Sequence, residues 1–137
     1  MNDYSYESLE VGHEEHFQRV VTAEMLDDFC RASGDVNPLH CDEQYAVGLG
    51  FAGRVAYGML TASLYSTLAG VWLPGKHCLL HSVDSSFRKP VFIGDTLTVS
   101  GVVDEKNDDF RIITVKATVT NQKGEKVSKA KIQLGFI

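Results

Sequence analysis

Hydrophobic positions in this chain follow a strand period, then a helical one, then a strand period again. Phe17 to Val21 reads as a short first strand. From Ala23 to Ser33 the spacing is helical: Leu26, Phe29, Cys30 and Ser33 share a face, while Glu24, Asp27, Asp28 and Arg31 fall elsewhere. Thr22 suits the N-cap of that helix and Gly34 its stop. A polar patch, Asp42-Glu43-Gln44-Tyr45, predicts one helical turn, and Gly48, Gly50 and Gly53 predict a flexible loop. A second helix runs from Gly58 to Leu73, where Pro74-Gly75 ends it. Met59, Leu60, Ala62, Leu64, Leu68, Ala69, Val71 and Trp72 make it apolar on nearly every side, the mark of a buried helix.

Strands follow. Cys78 to Arg88 and Thr96 to Val103 are expected to be joined by a turn at Gly94-Asp95. Phe110 to Thr120 and Lys126 to Phe136 are bounded by Asp108-Asp109 and Asn121 to Gly124 as turn chemistry, and Val115, Ala117 and Val119 alternate as a half-buried strand requires. The order predicts an α+β class: one domain over residues 1–137, a curved antiparallel sheet wrapped around a long buried central helix. Such a sheet leaves edges to cover, and pairing with a second copy is the usual remedy, so a homodimer or higher homo-oligomer is expected.

Composition narrows the partners. At 137 residues, 44% hydrophobic and 23% charged, the chain suits one ordinary soluble domain. A net charge of −5, without a dense Lys/Arg run, argues against nucleic acid or an anionic membrane as partner. No stretch has the length and apolarity of a membrane span. Met1 to Gly12 is polar and acidic, which excludes a signal peptide there. Cys30, Cys41 and Cys78 form no CxxC pair and no zinc spacing, so they read as free thiols in a reducing, cytoplasmic setting. No ligand cluster suggests a metal.

The chemistry concentrates in Ser33-Gly34-Asp35-Val36-Asn37-Pro38-Leu39-His40. Here a carboxylate and an imidazole stand on one Gly- and Pro-punctuated turn, read as lying outside any helix. Taken singly, Asp35 reads as a turn-forming residue and His40 as a surface or core imidazole; together they suit proton transfer. Asn37 reads as a brace for that bend. Gly58, at the mouth of the long helix, offers a backbone N–H without an intrahelical partner, at the positive end of the helix dipole.

The turn, followed by Val55-Ala56-Tyr57-Gly58-Met59-Leu60-Thr61-Ala62-Ser63-Leu64, resembles the MaoC-type hot-dog hydratases, the (R)-specific enoyl-CoA hydratases and related dehydratases. The likeness extends through Phe87-Arg88-Lys89-Pro90-Val91 and Gly94-Asp95 and covers nearly the whole chain. It implies a hot-dog fold, a homodimer with active sites near the subunit interface, and an acyl thioester of coenzyme A as substrate. Asp35 and His40 match the family's catalytic pair, and Gly58 matches the donor that polarises the thioester carbonyl. Ser66, Ala69 and Ile132 match positions that line the acyl pocket. Tyr57 departs from the pattern: these hydratases commonly carry His there, beside the oxyanion donor, so substrate subclass turns on it. With Asn37 and Arg88 it completes the expected substrate-binding set. Arg54, Arg88 and Lys89 are candidates for the phosphates of coenzyme A, although solvated surface charge is the commoner use of such residues.

The resemblance implies reversible syn hydration of a trans-2-enoyl-CoA to an (R)-3-hydroxyacyl-CoA, with coenzyme A entering only as part of the substrate. A hot-dog acyl-CoA thioesterase and a non-catalytic acyl-thioester binding module are the alternatives. Acyl length, coenzyme A against acyl carrier protein, and the physiological direction stay open at this stage.

Overall fold

The computed structural model describes residues 1–137. Five strands, β1 (Glu14–Val20), β2 (Cys78–Phe87), β3 (Thr96–Asn107), β4 (Ile112–Thr120) and β5 (Lys126–Phe136), form one antiparallel sheet in the order β1-β3-β4-β5-β2. The helices are α1 (Ala23–Ser33), α2 (Pro38–Cys41), α3 (Glu43–Gly48) and α4 (Gly58–Thr67), the last continuing as a π-helical turn over Leu68–Trp72.

Where side chains signal clearly, the expected elements form. The α1 helix has its expected bounds: the Thr22 hydroxyl accepts the Met25 N–H, and Gly34 closes the helix with φ +75°, a left-handed conformation costly for other residues. Elsewhere pairing overrides local composition. The β1 strand starts at polar Glu14 because its ladder with β3 runs from Glu14 opposite Val102 to Val20 opposite Thr96. A bulge between Val103 and Glu105 carries β3 on to Asn107, and β4 begins at Ile112, after the turn.

Three expectations need correction. The SGDVNPLH segment is not wholly a turn, because Pro38 to Cys41 make one helical turn with Pro at its start and Asn37 as N-cap. Nor are β2 and β3 a hairpin. The β2 strand lies at the far edge beside β5, so residues 88–95 cross the sheet and reach β3 through the Gly94-Asp95 turn. In crossing they bond to the segment before α4, with Ala56 N–H donating to the Val91 carbonyl at 2.7 Å and Val55 bridged to Phe92.

The central helix is the third. Its α-helical geometry ends at Thr67; the Leu73 N–H then reaches the Leu68 carbonyl, five residues back, at 2.8 Å. It is buried on one side only. Thr61, Leu64, Tyr65, Leu68 and Ala69 pack on the sheet, while Met59 is 65% exposed and Ser63 and Ser66 also face out. A single five-stranded sheet covers one flank of a helix and cannot enclose it.

The core joins that flank to the inward positions of the strands: Leu97, Val99 and Val103 from β3, Ile113, Val115 and Val119 from β4, Val127, Ile132 and Leu134 from β5. Each such side chain contributes about 1.5–3 kcal/mol on burial. Tyr65, fully buried, donates to Ser128 Oγ at 2.7 Å, and Ser128 donates in turn to the Ser86 carbonyl, so neither hydroxyl is left unpaired. The polar N-terminus is anchored as well: Tyr6 and Leu9 are buried, and the Lys106 ammonium donates to both their carbonyls.

Candidate active site

The loop between α1 and α3 is built from side chains that bond their own backbone. Asp35 Oδ1 accepts the Asn37 N–H at 3.0 Å, Asn37 Oδ1 accepts the Leu39 N–H at 3.0 Å, and Asp42 Oδ1 accepts the Tyr45 N–H at 3.0 Å. These short-range bonds turn the chain and start α2 and then α3. Asp35 therefore does form a turn, with one carboxylate oxygen in that bond, and the residue is exposed.

His40 is held from two sides. Its Nδ1 lies 2.6 Å from the Val55 carbonyl, and its own carbonyl accepts from Arg54 Nε at 2.6 Å. A carbonyl can only accept, so Nδ1 carries the proton and Nε2 of the neutral ring keeps its lone pair. The Val55 N–H also donates to the Leu39 carbonyl at 3.2 Å, which ties α2 to the strand-like segment leading into α4.

That segment ends at Tyr57, the N-cap of α4, which provides no side-chain cap. The first N–H groups of the helix, Gly58 included, are thus not answered by the cap residue. A Cβ at Gly58 would sit 3.3 Å from the Phe87 ring, so glycine keeps the approach to this backbone open. His40 and Gly58 line one cavity of about 400 Å³, together with Thr61, Phe87, Arg88 and Val127. A polarised N–H, an imidazole with an available lone pair and an apolar wall therefore share one space. No group of three or more His, Cys, Asp or Glu gathers as a metal site would require.

The other expected residues distribute unevenly. Asp35 is not among the residues lining the cavity; it stands on the exposed loop beside it. Asn37 caps α2. Arg88 is exposed at the cavity, and no carboxylate pairs with it. Arg54 is committed elsewhere, to the His40 carbonyl and to Asp27 at 2.8 Å, and Lys89 is paired with Glu125, so of the three cations Arg88 alone is free for a phosphate. Ser66 lies on the outward flank of α4, away from His40. Ala69 and Ile132 are 1% and 0% exposed within the core and line no part of this cavity.

Tyr57 differs most from expectation. It is 2% exposed and lies behind the site, outside the set that lines the cavity. Its hydroxyl donates to the Asp35 carbonyl at 2.6 Å and sits 3.2 Å from Cys41 Sγ. Its ring packs on His40, with centroids 4.2 Å apart, and on Phe29 at 4.7 Å. Burial, and next the Cys41 and Cys30 thiols, raise its phenol far above the usual range, so it remains a donor. Sequence reasoning also missed Val55, the acceptor that orients His40. Its position inside the recognised motif was the only signal.

Comparison with known proteins adds an independent line. A family model described as MaoC like domain matches residues 9–125. The chain is 37% identical over 120 residues to an (R)-specific enoyl-CoA hydratase of Aeromonas caviae, covering 88% of this chain and 90% of that one. It is also 37% identical over 100 residues to a 3-hydroxybutyryl-CoA dehydratase of Methylorubrum extorquens, covering 73% of this chain and 64% of the relative. Among solved structures, the (R)-hydratase from A. caviae involved in PHA biosynthesis superposes with a TM-score of 0.92 at 33% identity, over 96% of this chain and 99% of that one.

Proposed function

Since the chain belongs to the MaoC-like dehydratase family and has its hot-dog fold, we propose that it is a hydro-lyase: it adds water reversibly and syn to a trans-2-enoyl-CoA, giving an (R)-3-hydroxyacyl-CoA. The observation that carries this reading is the shared cavity of His40 and Gly58, with His40 Nδ1 held on the Val55 carbonyl. Relatives named for both the hydration and the dehydration of such thioesters support a reversible reaction.

In this mechanism, neutral His40 takes a proton through Nε2 as a water oxygen bonds C3. The C2–C3 π electrons move toward the thioester carbonyl, and the Gly58 N–H stabilises the enolate oxygen. His40 Nε2 then gives that proton to C2 on the same face, which completes the syn addition of the one water that Asp35 holds with its second oxygen before the attack. A positioned acid or base is worth about 10²–10⁴ in rate, and one oxyanion donor about 10²–10³. Every proton in this scheme moves between the chain's own groups, water and the thioester, and coenzyme A arrives as part of the substrate. Arg88 supplies a cation for its phosphates.

We further propose that the enzyme works as a homodimer in the cytoplasm. The β2 edge is unpaired in the sheet and exposes Leu79, Leu80, Val83 and Phe87, and Phe87 also lines the cavity. Three free thiols fit a reducing compartment.

The first test incubates the protein with crotonyl-CoA and follows the enoyl-thioester absorbance, with a thiol reagent in parallel. Loss of absorbance without thiol release, and an (R)-3-hydroxy product, is expected. Thiol release would replace this reading with a thioesterase. Binding without turnover of crotonyl-CoA and longer enoyl-CoAs would leave a binding module. Comparison with crotonyl-acyl carrier protein identifies the preferred carrier.

A further inference from the structure

Tyr57 touches all three groups assigned to the proton chemistry and the oxyanion: Gly58, Asp35 and His40. It is covalently joined to Gly58, it donates its phenolic proton to the Asp35 carbonyl at 2.6 Å, and its ring lies 4.2 Å from that of His40. Being 2% exposed and absent from the cavity wall, it has no surface to offer a substrate. Such a residue can influence the reaction only through the groups it holds. Building on the hydratase reading, we infer that Tyr57 is the positioning residue of this site: its phenol pins the loop that carries Asp35, and its ring sets the plane of His40.

The surroundings of Tyr57 support this. Gly34 to Asn37 are exposed, and the other bonds that shape this bend stay within the segment from α1 to α2: Ser33 Oγ accepts the Asp35 N–H, Asp35 Oδ1 accepts the Asn37 N–H, and the Asp35 carbonyl lies 3.9 Å from Cys41 Sγ. None of them fixes the loop against the rest of the fold. The bond from Tyr57 spans 22 positions and does so. With its proton committed to that carbonyl, the phenolic oxygen accepts from the Cys41 thiol at 3.2 Å, on the residue directly after His40. Phe29 of α1 packs on the same ring at 4.7 Å, so the anchor is braced by α1 too. A partly buried hydrogen bond of this kind holds an exposed loop in one geometry, and misplacing a reacting group by about 1 Å costs up to 10²-fold in rate.

The experiment compares the parent and Tyr57→Phe on crotonyl-CoA, alone and in the Asp35→Asn background. Phe keeps the ring and removes only the donor. The expected result is a kcat about ten-fold lower with KM within two-fold, and less than a two-fold further change when Asp35 is already Asn. Unchanged kcat would overturn the inference, as would a rise in KM alone, which marks a substrate contact. A full ten-fold loss repeated in the Asp35→Asn background would also overturn it, because the phenol would then act independently of Asp35. Should Tyr57→Phe fail to fold, 4-fluorophenylalanine at the same position fills the phenol's space without a proton to donate and is judged by the same outcomes. An inactive parent enzyme sinks the hydratase reading itself, whereas an active parent with an equally active Tyr57→Phe sinks only this inference.

Discussion

Asp35 uses one carboxylate oxygen to accept the Asn37 N–H, so only the other can hold a water. Asn at that position keeps an acceptor for the turn and loses the negative charge. Asp35→Asn is therefore expected to lower kcat on crotonyl-CoA by about 10²–10⁴ with an unchanged thermal midpoint. His40→Ala removes the base and a ring packed on Tyr57, and should lose activity to the same degree while melting a few degrees earlier. Steady-state kinetics beside thermal melts check both; full activity in the two variants would refute the assignment. His40 and Gly58 were legible as residues because their types and order are restrictive. The roles of Tyr57 and Arg54 were not. A phenol behind the site and a guanidinium spent on the His40 carbonyl look, in sequence, like a substrate contact and a phosphate ligand.

At the scale of elements, α2 shows how a four-residue helix can carry chemistry. It is too short to be stable alone, and the cap at its start, Asn37 Oδ1 on the Leu39 N–H, helps hold it in place. Asn37→Ala removes that cap at a cost of about 1 kcal/mol. The midpoint of thermal unfolding should fall by about 3–6 °C, and kcat should drop several-fold as His40 loses its register. Asn37→Asp, which keeps an acceptor, should restore most of both. Calorimetry and initial rates decide this; an Asn37→Ala protein with normal activity would show that α2 needs no cap. Local composition hid α2 because Gly34, Asn37 and Pro38 are also turn residues, and only the hydrogen bonds distinguish the two readings.

For the whole molecule, the half-open central helix and the bare β2 edge carry the same message. Leu79 is 47% exposed and Met59 65%, and β2 has a neighbour on one side only. An unpaired apolar edge is a site of association, and charge placed along it opposes pairing. Leu79→Asp combined with Val83→Asp should cost the isolated fold little, because both positions are already exposed. Sedimentation is then expected to show a monomer for the variant against the proposed dimer for the parent, with a large loss of activity as Phe87 and the cavity wall lose their support. A double variant that stays dimeric would move the interface elsewhere.

Restrictive residues and periodicity were enough, by themselves, to determine the class of fold, the bounds of α1 and β5, the start of α4 and the presence of Asp35 and His40 on one turn as a candidate pair, to which the family resemblance added Gly58. Each of these depends on local chemistry: a capping hydroxyl, a left-handed glycine, an alternation of apolar side chains. The tertiary structure alone decided which strand lies at the sheet edge, how far the sheet covers α4, and what Tyr57 holds. Strand order follows from pairing between distant segments, and coverage of the helix follows from the width of the sheet. The anchoring of the Asp35 loop follows from a bond across 22 positions, which no window of neighbouring residues contains.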